Sequence, residues 1–271
     1  MEKSLKKMTR TQQELDLQYE NGSFIPNAQS YADAWEAASA QFREAHAGEY
    51  DLAYGDHPRA IYDLIQPDSG PNGLFVFVHG GYWLSRHKDD WTCFGEGALM
   101  ADWSIAHLGY PLAPDARISE ITAHIANGIT EAAQRVDGPI VLAGHSAGGH
   151  LVARMAMQGV LPAQVTARLS HVLSISPVSD LRPLLNLTMN DTLRLDAAEA
   201  AAESPALGRP MPDVPVTVVV GAQERPVFLD QATWLARAWD ARHVILPGRH
   251  HFDVINDLRD AQSPMLRVAL S

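Results

Sequence analysis

Cysteine is almost absent from this chain, and that absence limits what can stabilise it. Cys93 is the only cysteine in 271 residues, so no internal disulfide can form, which favours a reducing compartment. It lies beside Phe94 with no activating base nearby in sequence, and we interpret it as a packed side chain. The sequence also lacks paired cysteines, an H-E-x-x-H motif and a glycine-rich nucleotide fingerprint. We therefore expect no metal and no other cofactor.

Long apolar runs and an excess of positive charge are also missing. No stretch approaches the roughly 18 apolar residues of a membrane span. Residues 1–10 are basic but run into polar residues 11–14, so they do not read as a signal peptide. The net charge of −11 disfavours nucleic acid and anionic membranes as partners. We expect a cytoplasmic protein that binds a small-molecule substrate; a homodimer is compatible with these features.

The sequence alternates short β-branched runs with longer helical patterns, which predicts a mostly parallel sheet flanked by helices. The runs are apolar at consecutive positions, as expected for strands covered on both faces. At 46% hydrophobic residues, the chain can build one α/β domain spanning residues 1–271. The predicted strands are 74–78, 103–108, 140–143, 171–175, 216–220 and 243–246, and the predicted helices are 118–136, 147–158, 227–239 and 253–260.

Two segments lie outside this alternation. Residues 30–46 carry aromatic and small side chains at helical spacing, which predicts an N-terminal helix packed on the sheet or over its edge. Residues 180–213 show no strand pattern and are rich in leucine. Because ligands of open α/β sheets bind beyond the carboxyl ends of the strands, we interpret this insert as a small helical cap. A helical connection without a covering role is the alternative.

Residues 144–148 read G-H-S-A-G, which matches the G-x-S-x-G nucleophile elbow of α/β-hydrolases. The motif alone is common by chance, but here a buried-strand pattern runs into it and a helical pattern runs out. Small flanking residues are needed because larger side chains would clash around the strained turn. We predict Ser146 as the nucleophile, placed at a helix N-terminus that favours negative charge. The alternative is that Ser146 only caps the helix.

A second glycine turn, at residues 79–83, reads H-G-G-Y-W after another predicted strand and is similar to the H-G-G-G oxyanion loop of lipases and esterases. Glycines let backbone N–H groups approach a carbonyl oxygen as it becomes an oxyanion. We predict the N–H groups of Gly81, Tyr82 and Ala147 as the donors. His79 fits a loop-holding role better than a catalytic one. Tyr82 and Trp83 are predicted to contact substrate, although Trp83 could equally be core.

A serine hydroxyl needs a base, and in this fold the order along the chain is serine, acid, histidine. His251 follows the last predicted strand through a Pro-Gly turn and is the predicted base, with His250 as its rival. Glu224 follows the preceding strand and is the predicted acid, with Asp180 as the alternative. Residues 250, 251 and 253 could also imitate a metal-ligand cluster, but the serine and oxyanion motifs favour the hydrolase interpretation.

With these residues in place, the chain resembles the kynurenine formamidase (arylformamidase) branch of α/β-hydrolases, near the H-G-G-type esterases. The string at 79–83 is the most specific point of contact. The family's relatives usually carry aspartate where this chain has Glu224, a longer side chain that can reach the same imidazole if its loop recedes. The resemblance also touches residues 17–19, 144–151, 180–184, 220–228 and 251–252.

The resemblance implies hydrolysis of a formyl amide on an aromatic amine, such as N-formylkynurenine. A small acyl group needs little room beside Ser146, and Tyr82, Trp83 and Phe228 could hold an aromatic group. A general short-chain carboxylesterase is the main alternative. An acyltransferase and a ligand receptor without turnover are two further readings. The receptor reading is disfavoured because both the serine and the histidine are present.

Overall fold

An eight-stranded sheet organises the protein, which we describe from a computed structural model covering residues 11–271. The predicted absence of a signal peptide concerns residues 1–10, which lie outside the described residues. The strand order is β1-β2-β4-β3-β5-β6-β7-β8. The strands are β1 (Glu49–Ala53), β2 (Ile61–Ile65), β3 (Leu74–Val78), β4 (Ser104–Leu108), β5 (Ile140–His145), β6 (Leu169–Ile175), β7 (Val216–Gly221) and β8 (Arg242–Leu246).

Helices cover both faces of this sheet. The α-helices are α1 (Gln12–Tyr19), α2 (Ala28–Ala45), α3 (Glu96–Met100), α4 (Ile118–Ala133), α5 (Ala147–Met155), α6 (Ala163–Thr166), α7 (Asn190–Leu193), α8 (Ala197–Ala202), α9 (Pro226–Trp239) and α10 (Pro264–Ala269). Short 3₁₀ helices span Gly22–Phe24, Lys88–Gly95, Arg182–Asn186, Pro205–Leu207 and Val254–Arg259. Within residues 11–271, no helix combines the length and apolar character needed to cross a membrane.

The predicted fold class is confirmed, and the direction of the strands determines where a site can form. Strands β3 to β8 run parallel, whereas β1 and β2 are antiparallel to their neighbours. All six predicted strands are present, with ends displaced by no more than two residues. Because β3, β5, β7 and β8 are parallel, the segments that follow them emerge at the same edge of the sheet. The predicted oxyanion loop, serine, acid and histidine lie on those four segments.

Two apolar layers hold the helices to the sheet. One face of the central strands packs with α4, α5 and α9, and every inward residue of α4 from Ile118 to Ile129 is essentially inaccessible. The other face packs with α2, α10 and the 3₁₀ helix 88–95 through Trp35, Trp91 and Phe94. Burial on both faces explains the consecutive apolar residues of β3 and β5, since neither strand has a side open to water.

The sequence did not reveal β1 and β2, because each carries charge where a buried strand should be apolar. Asp63 of β2 is fully buried, yet it accepts a hydrogen bond from Lys88 Nζ at 2.6 Å and pairs with Arg43. Asp51 and Asp89 also contact the Lys88 ammonium, each at 2.7 Å. Burial alone would lower the pKa of Lys88, but these carboxylates outweigh it and raise the pKa. The cluster ties α2 and the 3₁₀ helix to the sheet.

One predicted helix differs in form, and two other predicted helical segments are present. Residues 254–259 form a 3₁₀ helix rather than the α-helix predicted over 253–260. The segment 180–213 contains short helices, and its leucines 184, 187, 193 and 195 are buried in the main apolar layer. The helix predicted over 30–46 is α2, which begins at Ala28 and ends at Ala45.

Candidate active site

Ser146 occupies the sharp turn between β5 and α5. Its backbone has φ 57° and ψ −116°, a conformation that non-glycine residues rarely adopt. Its N–H donates to the carbonyl of Ile175 at the end of β6, which holds the turn against the neighbouring strand. Within the described residues, the Ser146 hydroxyl makes no internal hydrogen bond, and its residue lines the main pocket. The hydroxyl is therefore available to a ligand.

Close backbone contact explains why a glycine follows two residues after this serine. A Cβ built on Gly148 would lie 2.0 Å from the carbonyl oxygen of Val78, at the end of β3. Any side chain there would push β3 and α5 apart. Gly148 thus brings the serine turn and the H-G-G loop, which begins at His79, into direct contact.

His251 and Glu224 form a buried hydrogen-bonded pair beside the serine turn. His251 Nδ1 lies 2.6 Å from Glu224 Oε2, with both side chains almost inaccessible to water. The other carboxylate oxygen, Oε1, accepts from the Ser176 hydroxyl at 2.5 Å and from the Gly221 N–H at 2.8 Å. A carboxylate held in this way fixes the orientation of the imidazole and leaves Nε2 as the ring nitrogen free to act as a base.

The rival residues have other partners. Asp180 is engaged by the Arg182 guanidinium, with Nη2 to Oδ2 at 2.7 Å, and not by a histidine. His250 Nε2 lies 3.0 Å from the Tyr31 hydroxyl, and its backbone N–H donates to Asp253. Of the four candidates, Glu224 and His251 are therefore the two that contact each other.

The H-G-G loop leaves backbone donors free beside Ser146. Gly81 has φ +114°, a conformation suited to glycine, and Tyr82 and Trp83 follow at φ 54° and 58°. Among the backbone hydrogen bonds of residues 11–271, none uses the N–H of Gly81, Tyr82 or Ala147. Ala147 is the first residue of α5, where N–H groups lack an intrahelical acceptor. The H-G-G loop and the start of α5 therefore both offer backbone donors without a backbone partner.

His79 and His145 support this site from within the core. The His79 ring stacks on Tyr110 at 4.3 Å, and the Tyr110 hydroxyl donates to the His79 carbonyl at 2.9 Å. Burial lowers the pKa of His79 to about 3, so its ring is neutral. His145 Nε2 lies 2.8 Å from the His251 carbonyl oxygen, and burial holds the pKa of His145 well below its usual value. As the neutral Nε2–H tautomer, His145 donates this bond and anchors the loop of His251.

A pocket of about 900 Å³ opens above Ser146 and His251. Its inner wall is aromatic, with Trp35, Trp91 and Phe252, and Tyr82 closes one side. Much of the outer wall comes from α1 and the segment that follows it, residues 12–22. From the predicted cap, Thr188 and Met189 line the pocket. The covering elements therefore come mainly from the N-terminus.

Two residues predicted to contact substrate lie behind the pocket surface instead. Trp83 is fully buried, packs edge-on against His150 at 5.1 Å and does not line the pocket. Phe228 is also fully buried, with its ring 4.3 Å from that of His251. Both therefore support the site from the core. Only Tyr82 of the three predicted contacts reaches the pocket, and its hydroxyl donates to the Tyr19 carbonyl at 2.5 Å.

Sequence reasoning missed three groups that the structure brings to the site: His145, Ser176 and the pocket-facing side of α1. Ser176 directly follows β6, a strand end at the active edge of the sheet, and this was a usable signal. His145 sits inside the elbow motif, in a position that the motif leaves unspecified. The contribution of α1 depends on its docking against distant residues, which no local pattern encodes.

The fold agrees with what this chain is similar to. A family model described as alpha/beta hydrolase fold matches residues 75–244. Kynurenine formamidase of Danio rerio is 22% identical over 95% of this chain and 94% of its own length. Kynurenine formamidase of Drosophila melanogaster is 28% identical over 76% of this chain and 75% of its own length.

A crystal structure from Silicibacter sp. TM1040, described as a "putative thioesterase", superposes with a TM-score of 0.93. It is 50% identical and covers 95% of this chain and 99% of its own. The match to the family model spans more than half of the chain, and this structure extends the likeness to nearly all of it. The chain belongs to the alpha/beta-hydrolase fold family.

Proposed function

We propose that the protein hydrolyses a small acyl group, such as formyl, from an aromatic amine or alcohol through an acyl-enzyme on Ser146. The observation that carries the proposal is the buried Glu224–His251 pair, whose imidazole lines the same pocket as the strained serine. A base oriented by a carboxylate, in the same pocket as a serine hydroxyl without an internal hydrogen bond, is the arrangement that nucleophilic acyl transfer requires.

In the first step, His251 Nε2 takes the proton of the Ser146 hydroxyl as the oxygen attacks the substrate carbonyl. The negative charge that develops on the carbonyl oxygen is bound by the free N–H groups of Gly81, Tyr82 and Ala147. Glu224 stabilises the imidazolium, which then gives its proton to the departing amine or alcohol. The leaving group departs neutral, and the acyl group stays on Ser146.

In the second step, water replaces the leaving group. His251 takes a proton from this water, the resulting hydroxide attacks the acyl carbon, and the same oxyanion donors bind the charge. Collapse of the intermediate returns the proton to Ser146 and releases the acid. In both steps, His145 holds the His251 loop and Ser176 holds the Glu224 carboxylate in place.

The aromatic leaving group is supported by the composition of the pocket wall. Trp35, Trp91 and Phe252 present flat apolar surfaces, with the Trp35 and Trp91 rings 4.7 Å apart. Such surfaces favour a planar aromatic group. The relatives named kynurenine formamidase align with most of this chain, and the resemblance to that family implies a formyl amide of an aromatic amine as substrate. Together these observations favour a formamide or small ester of an aromatic amine or alcohol.

The decisive experiment compares kcat/KM for formyl, acetyl, butyryl and hexanoyl groups on one common aromatic leaving group, with N-formylkynurenine beside them. We expect efficiency to fall with each lengthening, because every methylene that does not fit costs about 1–3 kcal/mol. Ser146→Ala should lower turnover by roughly 10³-fold or more without changing the circular dichroism spectrum. An optimum at six carbons would replace the formamidase proposal with a long-chain esterase.

A short-chain ester or thioester hydrolase is the second candidate. It is favoured by the 50% identical structure whose description names a thioesterase. Oxygen esters and thioesters have better leaving groups than amides, so the same serine site can cleave them. Matched acetyl aryl esters, thioesters and anilides separate the two functions. A kcat/KM for the thioester that exceeds that of N-formylkynurenine by 10²-fold would favour the second candidate.

A further inference from the structure

We propose that Arg86 forms an anion-binding subsite in the pocket and selects substrates whose aromatic leaving group carries a carboxylate or a similar negative group. The location of the reacting carbonyl rests on the proposed function; the subsite itself rests on the charges and contacts of the pocket. Arg86 is a lining residue of this pocket, and its side chain is about one-third exposed.

Arg86 lies directly against the oxyanion loop. A Cβ built on Gly81 would be 3.0 Å from Arg86 Cγ and 2.4 Å from the Ser85 carbonyl oxygen. The aliphatic part of the arginine therefore packs over the glycine that we propose as an oxyanion donor. Its main chain is fixed as well, because the Arg59 guanidinium donates to the Arg86 carbonyl oxygen. A guanidinium held here is within one side-chain length of the loop that would bind the reacting carbonyl.

Arg86 is also the one arginine or lysine among the described residues that line this pocket. The two acidic lining residues are engaged elsewhere. Asp16 accepts from the Thr188 N–H at 2.8 Å and from its hydroxyl at 2.7 Å. Glu20 accepts from the Ser23 N–H through both of its oxygens, at 2.9 and 3.1 Å. Both carboxylates keep their negative charge, but they are held by Thr188 and Ser23 and neither pairs with Arg86, whose ion-pair partner is Glu36.

The existing partner of Arg86 is one that a substrate can displace. Arg86 Nη1 lies 3.3 Å from Glu36 Oε1, and the Glu36 side chain is about half exposed. Exposed pairs of this kind contribute little free energy, because water screens the two charges. A substrate carboxylate within the pocket could accept two parallel guanidinium hydrogen bonds, which are stronger and more directional than this single contact.

The size of the acyl group determines which part of the substrate carries the charge. A formyl or acetyl group carries no ionisable substituent. The negative group that binds Arg86 must therefore belong to the leaving group. That group also has to be aromatic to match Trp35 and Trp91. The chemistry points to acylated aminobenzoates, acylated hydroxybenzoates and related aromatic acids, with the ring against the tryptophans and the carboxylate at Arg86.

The test compares 3- and 4-formamidobenzoate with the matching formamidobenzamides, which have nearly the same shape without the charge. For wild type we expect kcat/KM to favour one carboxylate isomer over its carboxamide by about tenfold, or 1.4 kcal/mol. Arg86→Gln should reduce that ratio to near one, and Arg86→Lys should retain part of it. Raising the salt concentration should also reduce the wild-type ratio, since the site is partly exposed.

Arg135→Gln is the matched control, because Arg135 forms a similar exposed pair with Glu49 outside the pocket. It should keep the wild-type ratio. An Arg86→Gln enzyme that keeps the ratio, or a wild type without any preference, overturns the subsite. If wild type cleaves neither these formamides nor any substrate of the acyl series above, the proposed function fails instead. Calorimetric binding of benzoate and benzamide to wild type and Arg86→Gln then tests the subsite without turnover: Arg86-dependent benzoate binding supports it, and equal binding rejects it.

Discussion

A glutamate side chain is one methylene longer than that of an aspartate. At position 224 both oxygens of the glutamate carboxylate are hydrogen-bonded. One oxygen meets His251 and the other meets Ser176 and the Gly221 N–H. We expect Glu224→Gln to lower kcat/KM by about 10³-fold or more, because the amide can no longer stabilise the imidazolium. Steady-state kinetics on an aryl formamide or acetate, with unfolding midpoints as a check on the fold, measure this.

Asp180→Asn provides the comparison for the acid. Asp180 pairs with Arg182, whose side chain is half exposed, and makes no contact with the imidazole. We expect its loss to change kcat/KM by less than about fivefold, since a partly exposed ion pair contributes little. If Asp180→Asn proved more damaging to turnover than Glu224→Gln, the acid would have to be reassigned.

Among the elements, α1 has the clearest effect on the pocket, because it touches three separate parts of the site. The Tyr19 carbonyl accepts from Tyr82 of the H-G-G loop, and the Leu17 carbonyl accepts from Arg225 next to Glu224. Asp16 binds Thr188 of the insert. These contacts hold α1 as a wall over the pocket while leaving the catalytic residues on the sheet.

Weakening the anchor of α1 should therefore affect binding more than chemistry. We expect Asp16→Ala to raise KM severalfold and to leave kcat within about twofold, because the serine and histidine loops do not depend on α1. Asp33→Ala is the matched control: Asp33 is an exposed acid of α2 that bonds only locally with Gln29. A fall in kcat with unchanged KM would show that α1 takes part in the catalytic step.

The central strands, and the candidate site residues that follow them, could be predicted because their sequence signals are local. Continuous apolar runs identify β3 and β5, and the glycine turns after them locate the oxyanion loop and Ser146. By contrast, β2 contains Asp63, which is tolerable in a core because Lys88, 25 residues later, and Arg43, 20 residues earlier, both pair with it. Ion pairs between residues so far apart in sequence produce no periodic pattern. The charge inside β2 therefore hid this strand from sequence analysis.

The direction of side chains was a second feature of the site that the sequence could not predict. The aromatic residues Tyr82 and Trp83 are adjacent, yet one faces the pocket and the other the core. Both have positive φ, so the loop does not follow the alternation of a strand, and sequence offers no rule for which ring points outward. Strand order was enough to predict His251 and Glu224 as base and acid, whereas predicting which aromatic side chains reach the pocket requires this loop geometry.

At the scale of the whole molecule, buried histidines make the fold sensitive to acid. Burial lowers the pKa of His79 and His107 to about 3 and the pKa of His150 and His171 to about 4. In the unfolded chain these imidazoles titrate near their ordinary pKa of about 6.5. Between about pH 6.5 and 4 the unfolded chain therefore binds more protons than the native protein, and acid favours unfolding.

Each such histidine destabilises the native state by up to about 1.4 kcal/mol per pH unit in that interval, against a total stability of about 5–15 kcal/mol. We expect the free energy of unfolding, from urea titrations, to be unchanged from pH 8 to 7 and to fall by at least about 3 kcal/mol from pH 7 to 5. The carboxylates contribute little there, because they titrate mostly at lower pH.

His107→Leu isolates one contributor to this effect. Neither ring nitrogen of His107 has a hydrogen-bond partner, and the ring lies in the core beside Phe77. Leucine can fill similar space without a group that must be kept neutral, and replacing an unpaired buried polar group with an apolar one can be neutral or stabilising. Between pH 7 and 5, the free energy of unfolding should fall by about 1–2 kcal/mol less in the variant than in wild type. At neutral pH the two proteins should differ less in this free energy than they do at pH 5. Equal losses in the two proteins would mean that the His107 ring takes up its proton inside the folded core.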